Sequence, residues 1–256
     1  MVPQPSASGA GPGETITAET PRPVQRPVML QRWDSLTYVH WPVDPDQVAA
    51  LLPPGVAVDT FDGAAWVGLV PFEMQRIRLP GTPAVPWVGT FPETNVRTYV
   101  VLPDGRRAVW FSTLDVPRAA AVAVARAAFG LPYRWAAASV TRDGDLWRYR
   151  SQRRWPHDRA RLELDVRVGE PIAAAEVSPL EHWLTARWGL ATHHLGRWWH
   201  GAVDHPPWPL HRAELVELND ELVDAAGFRL ERSILHEPLV HATPGVEVRI
   251  GWLQRA

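Results

Sequence analysis

The stretch TNVRTYVVLPDGRRAVWFSTL, residues 94–114, decides the fold of this chain. Two segments rich in β-branched and aromatic residues, 94–102 and 106–114, lie on either side of Asp104-Gly105. This dipeptide is typical of the tight turn that joins two antiparallel strands. The stretch is therefore predicted to form a β-hairpin at the centre of a sheet.

Strand segments and turn residues continue to alternate on both sides of this hairpin. A second hairpin is predicted around Asp143-Gly144. The other predicted strands are Leu36–Trp41, Val56–Thr60, Ala65–Met74, Ala136–Thr141, Leu146–Ser151, Arg161–Val168, His194–Val203, Ala213–Leu218 and Val246–Trp252. Predicted helices are fewer: one after Asp44, the run AAAVAVARAAF (119–129) with Asp115 as its cap, Pro179–Trp188 and Glu221–Ala226. The pattern favours an α+β fold, mostly antiparallel, with a closed or barrel-like sheet and a few helices packed on it.

The chain is predicted to consist of one domain and a tail. Residues 1–26 are rich in Pro, Gly, Ser, Thr and Ala and have almost no large apolar side chains, so they are predicted to be a disordered tail. No second linker and no internal repeat follow, which predicts a single domain at 27–256. Apolar residues make up 46% of the chain, enough for a sizeable core.

Composition excludes several classes of function. A net charge of −2 gives no electrostatic reason to expect nucleic acid or an anionic membrane as partner. No apolar run approaches the roughly 18 residues of a membrane-spanning helix, and the first residues do not resemble a secretory signal. A cytoplasmic location is therefore the default expectation. The chain has no cysteine, which excludes thiolate catalysis and disulfides, and a homo-oligomer is left open.

Several segments resemble the DUF2071 (YqjF-like) family. They are LLPPGVAVDTFDGAAWVGLVPF (51–72), FPETNVRTYV (91–100), FGLPYRWA (129–136) and HPPWPL (205–210). The resemblance extends from about Val28 to the end of the chain, and FPETNVRTYV is its most specific part. It implies the acetoacetate-decarboxylase-like fold, but it implies no particular activity.

The wider superfamily resembles acetoacetate decarboxylase, whose Gly-Phe-Pro-Lys-Lys segment supplies the lysine that forms a Schiff base. The matching segment here is Gly130-Leu131-Pro132-Tyr133-Arg134, in which Tyr133 stands in place of that lysine and Arg134 in place of its neighbour. All 26 basic residues counted as lysine or arginine are arginine. A Schiff base needs an unprotonated amine, which neither a phenol nor a guanidinium provides. The resemblance therefore implies where this segment lies in the fold, but it does not imply that Tyr133 or Arg134 has the chemical role of the lysine.

A polar patch on the first hairpin is the leading candidate site. On a strand, Asn95, Arg97 and Tyr99 share one face. A two-residue loop at Asp104-Gly105 would place Ser112 opposite Arg97 and Trp110 opposite Tyr99. This set could bind a carboxylate or carbonyl ligand. The alternatives are a solvated strand face, or a structural network in which Arg97 pairs with Glu93 or Asp115.

Two other groups of residues are candidate functional sites. Five histidines fall between His193 and His211, but neither a His-x-His pair nor an HExxH motif occurs, which favours scattered structural histidines over a metal site. His182, with Glu181 and Arg187 nearby, could act as an acid or base, although a surface or capping role fits better. No glycine-rich phosphate loop follows a strand, so neither a cofactor nor a metal is expected.

The leading hypothesis is a small-molecule pocket that binds a carboxylate or carbonyl compound, with lysine-independent lyase, isomerase or cyclase chemistry as its catalytic form. Arg97 and Arg134 would hold the anion, and Tyr133 would donate a hydrogen bond or act as general acid. These residues, with Asn95, are predicted to line one cavity. The alternative is a non-catalytic ligand-binding or sensor protein on the same scaffold, and a structural protein with a filled interior is the third hypothesis. Whether the chain is an enzyme stays open at this point.

Overall fold

The computed structural model describes residues 13–84, 89–119, 122, 126, 129–155, 158–230 and 237–256. Its strands are β1 Met29–Val43, β2 Ala57–Val58, β3 Ala65–Arg78, β4 Phe91–Val101, β5 Arg107–Val116, β6 Tyr133–Asp143, β7 Leu146–Trp155, β8 Arg161–Pro171, β9 Gly189–His194, β10 Arg197–Asp204, β11 His211–Asp220 and β12 Leu239–Arg255. Its helices are α1 Pro45–Leu51, α2 Pro179–Thr185 and α3 Leu222–Ala225, with a 3-10 turn at Ala174–Glu176. None of the described helices is long and apolar enough to cross a membrane. Most of the predicted helix at 119–129 lies outside the described residues.

The strands form one mixed sheet that closes on itself twice. One closed path runs β12-β1-β3-β4-β5-β9-β10 and returns to β12, and we call it the seven-stranded ring. A second path leaves β5 through β6, β7, β8 and β11 before it reaches β12, and we call it the nine-stranded ring. All pairs are antiparallel except β5–β6 and β5–β9. The predicted α+β, barrel-like fold is confirmed.

Five strands belong to both rings, namely β1, β3, β4, β5 and β12. Each of them directs one face into the seven-stranded ring and the other face into the nine-stranded ring. Val39 and Trp41 of β1 pack in one cluster with Leu162 and Leu164 of β8, a strand that belongs only to the nine-stranded ring. Because side chains alternate along a strand, the opposite face of β1 and its neighbours looks into the seven-stranded ring. The candidate site lies on that face.

The central hairpin forms between β4 and β5, but its loop is longer than predicted. The Leu102 amide donates to the Arg106 carbonyl at 2.9 Å, and the Gly105 amide donates to the Leu102 carbonyl at 2.9 Å. Gly105 adopts a φ of 84°, which a side chain would strain. The loop therefore begins before Asp104-Gly105 and ends after it.

The longer loop changes the cross-strand register. Tyr99 lies opposite Val109, and Arg97 lies opposite Phe111, before a bulge shifts the pairing again. The two predicted cross-strand pairs of this hairpin are therefore wrong, by one residue each.

Asp115 does not cap a helix as predicted. It lies in β5, and its carboxylate accepts two hydrogen bonds from the guanidinium of Arg153, from Nε at 2.8 Å and from Nη2 at 3.0 Å. Both side chains are fully buried in the nine-stranded ring. Asp115 is therefore the carboxylate partner of Arg153 and is not a partner of Arg97.

The described part of the N-terminal segment contacts the domain. Ile16 is partly buried against a core cluster, and Val24 is buried. Residues in the range 13–26 thus contact the rest of the chain although few of them are apolar. The division into a tail at 1–26 and a domain at 27–256 otherwise stays a prediction, and residues 1–12 lie outside the described residues.

Candidate functional site

A row of four polar side chains follows the inner face of β4. Glu93, Asn95, Arg97 and Tyr99 occupy alternate positions, and all four are buried. Successive members lie roughly 6.6 Å apart, since an extended strand rises about 3.3 Å per residue. Burying such a row costs free energy unless its polar groups have hydrogen-bond or charge partners. These partners differ between the Glu93 end and the Tyr99 end.

Arg97 is a buried guanidinium that has no carboxylate partner in the part of the chain that the structure describes. Its Nη2 donates to the Tyr99 hydroxyl at 3.3 Å and to the Leu184 carbonyl at 3.4 Å, and its Nε has no hydrogen-bond partner. The guanidinium carbon lies 5.1 Å from the centre of the Tyr38 ring and 5.6 Å from that of Tyr99. The predicted alternative, in which Glu93 or Asp115 pairs with Arg97, does not occur among the described ion pairs.

The other deeply buried arginines do have carboxylate partners. Arg153 pairs with Asp115, and Arg187 donates from Nη1 to Asp59 at 2.5 Å. A buried charge is normally paired in this way, because moving a charge out of water without a counter-charge costs free energy. Arg97 departs from that pattern, although it keeps 8% of its surface accessible.

His40 is held on one side of this guanidinium. Its Nε2 lies 2.7 Å from the Tyr99 hydroxyl, which donates its single proton to the Leu184 carbonyl at 2.9 Å. A carbonyl only accepts, so the hydroxyl accepts from His40 and the imidazole carries its proton on Nε2. Burial and the charge of Arg97 lower the pKa of His40 well below its ordinary 6.5, so the ring is neutral. Its Nδ1 has no hydrogen-bond partner.

Gly68 makes room for this arrangement. It lies in β3 between His40 of β1 and Arg97 of β4, with each of them directly opposite. A Cβ atom at this position would lie 2.9 Å from Cδ2 and Nε2 of His40 and 3.4 Å from Cγ of Arg97. The imidazole therefore rests where any other residue would place a side chain.

Helix α2 covers the Tyr99 end of the row. Ser178 and Glu181 form a capping box at its start, and the Glu181 carboxylate also accepts from Nε2 of His241 at 2.8 Å. Beyond its end, the Arg187 guanidinium lies 4.6 Å from the centre of the Tyr99 ring. Glu181 thus takes part in the cap, a role that was predicted for His182, and Arg187 reaches the row.

Glu93 and Tyr133 form a separate centre at the other end of the row. The Tyr133 hydroxyl donates to Oε2 of Glu93 at 3.4 Å. Burial raises the pKa of Glu93 to about 8, the nearby Asp115 adds to this, and the hydrogen bond from Tyr133 acts against it. Glu93 is therefore a carboxyl group that keeps its proton near neutral pH.

The structure brings together only some of the predicted site residues. Asn95, Arg97 and Tyr99 share the inner face, and Tyr133 reaches the same row through Glu93. The remaining three, Trp110, Ser112 and Arg134, do not join them in the predicted way.

Each of these three departures has a local cause. Trp110 lies opposite Thr98 and packs against the cluster of Val100 and Trp198, on the other face of the sheet. Ser112 occupies the bulge in β5, and its hydroxyl has no hydrogen-bond partner. Arg134 follows Tyr133 on β6, so it points to the opposite face. The single cavity predicted for Tyr133, Arg134, Asn95 and Arg97 therefore does not include Arg134, and for the other three residues it stays a prediction.

Sequence reasoning missed Tyr38, His40 and Gly68. Tyr38 and His40 alternate on the strand predicted at Leu36–Trp41, so a polar pair at two-residue spacing was the available signal. Their rings stack at 5.7 Å with an interplanar angle of 15°. Nothing in the sequence indicates that β1 lies within reach of β4.

Other candidate sites contribute less. A surface groove of about 440 Å³ on β6–β8 contains none of the predicted site residues. Among the described residues, no three histidine, aspartate or glutamate side chains are arranged to hold a metal ion. His205 contacts Trp188 and Trp208, each at 4.6 Å between ring centres.

The comparison with protein families identifies the chain. Residues 30–247 match DUF2071, a family described as an uncharacterized conserved protein. The chain belongs to the DUF2071 family. It is also 34% identical over 214 residues to the uncharacterized protein YqjF of Bacillus subtilis strain 168, which covers 84% of this chain and 86% of that protein. The resemblance inferred from the sequence is confirmed.

Solved structures share the fold at low sequence identity. An acetoacetate decarboxylase-like enzyme from Sphingomonas wittichii RW1 superposes with a TM-score of 0.61 at 15% identity, over 90% of this chain and 92% of that one. The enduracididine biosynthesis enzyme MppR, complexed with pyruvate, gives 0.62 at 16% over 90% of each chain. Acetoacetate decarboxylase from Legionella pneumophila gives 0.58 at 13%, over 93% and 92%. These likenesses concern the fold alone.

Proposed function

We propose that this DUF2071 protein binds a small carboxylate or carbonyl compound inside the seven-stranded ring, with Arg97 holding the anionic group. The observation that carries the proposal is the buried Arg97 guanidinium without a carboxylate partner among the described residues. An anionic ligand would supply the missing counter-charge through charge-assisted hydrogen bonds. Arg97 also keeps more accessible surface than His40 and Tyr99, which keep none.

The surroundings of Arg97 favour a flat, partly apolar ligand. Tyr38 and Tyr99 flank the guanidinium, and the Tyr38 ring meets Trp208 edge-on at 5.7 Å. Aromatic walls with few polar groups are typical of small-molecule sites. The pyruvate complex of MppR, a protein of the same fold, supports a short oxo acid as the first ligand to try.

A catalytic role is the finer form of this proposal, and the Glu93–Tyr133 pair favours it. Protonated Glu93 could donate a proton, with Tyr133 in support, in lysine-independent lyase, isomerase or cyclase chemistry. Glu93 and Arg97 lie four residues apart, roughly 13 Å along an extended strand. A ligand held by Arg97 must therefore extend past Asn95 before Glu93 can act on it, and a shorter ligand would only be bound.

Titration calorimetry with pyruvate, acetoacetate and lactate tests the binding proposal. Arg97→Met should weaken binding at least about tenfold, the effect of losing roughly 1.4 kcal/mol of interaction. Arg76→Met is the matched control, because Arg76 is exposed and pairs with Glu247. Acetone, which lacks the carboxylate, should not bind. Equal binding by Arg97→Met and the parent chain, or no binding of any probe, would contradict the proposal.

Proton exchange in D₂O separates an enzyme from a binding protein. A series of linear oxo acids of increasing length, beginning with pyruvate, would be followed by proton NMR for exchange next to the carbonyl. An enzyme should speed exchange only for the longer acids, and Glu93→Gln should abolish the effect while leaving binding intact. Exchange at the uncatalysed rate for every acid that binds would favour the non-catalytic alternative.

A further inference from the structure

We propose that residues 13–24, here called the N-terminal strap, are a removable cover over the Tyr99 end of the seven-stranded ring, and that ligands reach Arg97 when the strap lifts. This inference rests on the proposed function, because it concerns access to the same site. It assigns a role to a segment whose composition predicts only a disordered tail.

The strap is fixed at its C-terminal end by β10 and β12. The Val24 amide donates to the Asp204 carboxylate at 2.8 Å, and Nε of Arg249 donates to the Val24 carbonyl at 2.8 Å. The Val24 side chain is buried against Gly251. The chain continues from Val24 into β1, which begins at Met29, so this end is the hinge side of the strap.

The other end is held by the loop between β4 and β5. The Glu14 amide donates to the Gly105 carbonyl at 2.8 Å, and Arg107 donates from its amide and its Nε to Glu14 at 3.1 and 2.8 Å. Arg22 also pairs with the Glu14 carboxylate, at 2.5 Å. Because these polar contacts are partly exposed, water can replace them at little cost.

Between its two anchors the strap is weakly held. Ile16 is only partly buried, against the core cluster that contains Tyr99 and Trp183. The Thr17 carbonyl accepts from the indole of Trp188 at 3.0 Å. The strap forms no helix or strand, and segments with few apolar contacts open locally at low free energy.

A chain of charged contacts connects the strap to the site. Glu14 contacts Arg107, whose guanidinium pairs with Asp59. Asp59 also pairs with Arg187, which stacks on Tyr99. These contacts link the strap to the Tyr99 end of the row, and Ile16 packs directly against the cluster that contains Tyr99.

The alternative covers at this end are more firmly attached. Most neighbouring strands of the ring pair over many residues, so parting them would break several hydrogen bonds at once, and β5 and β9 pair at Val109–Leu190 and Trp110–Ala191. Helix α2 is held by its capping box and by the buried contact of Glu181 with His241. Among the described elements, the strap can therefore leave this end of the ring with the least disruption of the fold.

An engineered disulfide tests the proposal in the full chain. A Cβ at Gly13 would lie 3.3 Å from Cγ of Arg107, so the two Cβ atoms are within about one further C–C bond, near the 3.5–4.5 Å that a disulfide spans. The double variant Gly13→Cys, Arg107→Cys would staple the strap shut when oxidised. The chain has no other cysteine, so no competing disulfide can form. The same variant, reduced and alkylated, is the matched open control.

The measurement is the rate at which butane-2,3-dione modifies Arg97, followed by peptide mass spectrometry. This neutral arginine reagent reports access without requiring the natural ligand. Modification of Arg97 should be at least about tenfold slower in the stapled form, because opening of the strap is then blocked. Exposed Arg76 is the internal control and should react equally in both forms.

Equal rates at Arg97 in the two forms would overturn the strap proposal, whether both are fast or both are undetectable. The proposed function fails differently. In that case pyruvate, added to the open form, would not protect Arg97 from the reagent, while the difference between stapled and open forms would persist.

Discussion

Replacing Arg97 with methionine should leave the unliganded protein about as stable as before. Methionine has a similar length and carries no charge. The substitution removes two long hydrogen bonds, of 3.3 and 3.4 Å, each worth about 0.5–1.5 kcal/mol at most. It also removes two contacts with buried tyrosine rings, worth roughly 2 kcal/mol each where water is excluded.

The gains oppose these losses. Removing an unpaired buried charge recovers a desolvation penalty of several kcal/mol, and a buried methionine adds roughly 1.5–3 kcal/mol. The Leu184 carbonyl keeps its hydrogen bond from Tyr99, whereas the Tyr38 hydroxyl loses its interaction with the guanidinium. The gains and losses are of similar size, so the free energy of unfolding should change by no more than about 2 kcal/mol, or roughly 4–8 °C in melting temperature for a domain of this size.

Arg153→Met supplies the contrast. Arg153 is equally buried but paired, so its loss would strand the Asp115 carboxylate in the nine-stranded ring. Breaking such a pair costs about 3–5 kcal/mol. Urea unfolding of the parent chain and both variants, followed by tryptophan fluorescence, gives the comparison. If Arg97→Met destabilises the protein as strongly as Arg153→Met, Arg97 is a structural residue and the ligand argument fails.

Three further predictions test other parts of the account. Gly68→Ala should displace His40 and cost about 1–3 kcal/mol, because the new Cβ would lie 2.9 Å from the imidazole; Gly251→Ala, with its nearest contact at 3.2 Å, should cost less in the same unfolding assay. Glu93 should contribute a fall in stability of a few kcal/mol between about pH 4.5 and pH 8, because its folded form keeps a proton that the unfolded chain releases; the parent chain should therefore lose stability relative to Glu93→Gln as the pH rises through that range, measured by unfolding curves of both proteins. Borohydride treatment with pyruvate or acetoacetate should leave no adduct at any side chain, since the chain has no lysine, and intact-mass spectrometry would reveal an exception.

The sequence predicts the architecture well because its signals are local. Asp104-Gly105 and Asp143-Gly144 mark two hairpins, and both appear in the structure. The register of the first hairpin could not be predicted, because it depends on the length of the loop and on a bulge. A one-residue change of register moves Trp110 to the other face, which is why the predicted patch was only partly right.

The isolation of Arg97 is a tertiary property. Alternation along 95–99 predicts which side chains share its face, but the absence of a counter-charge depends on distant elements. Asp115, close in sequence, is occupied by Arg153 from β7. The aromatic neighbour Tyr38 comes from β1. Sequence spacing gives no information on either contact, so the sequence left the structural network and the ligand site as equal alternatives.

The docking of the strap could not be predicted from the sequence either, because it also depends on contacts with distant elements. Composition counts apolar side chains, and residues 13–24 contain few of them. Ile16 and Val24 nevertheless dock, because the ends of the strap are held mainly by backbone groups that bond to Gly105, Arg107 and Arg249. Amino-acid composition gives no information on hydrogen bonds that are made by backbone groups.

The most direct test of the central claim is the NMR signal of the Arg97 Nε–H group. That group has no hydrogen-bond partner in the unliganded structure, and its signal can be assigned by its loss in Arg97→Met. Saturating pyruvate or acetoacetate should shift this signal, while the signal of the Arg153 Nε–H group, which is already bonded to Asp115, should not move. An Arg97 signal that does not move with either acid at saturation would contradict the claim that this guanidinium binds the ligand.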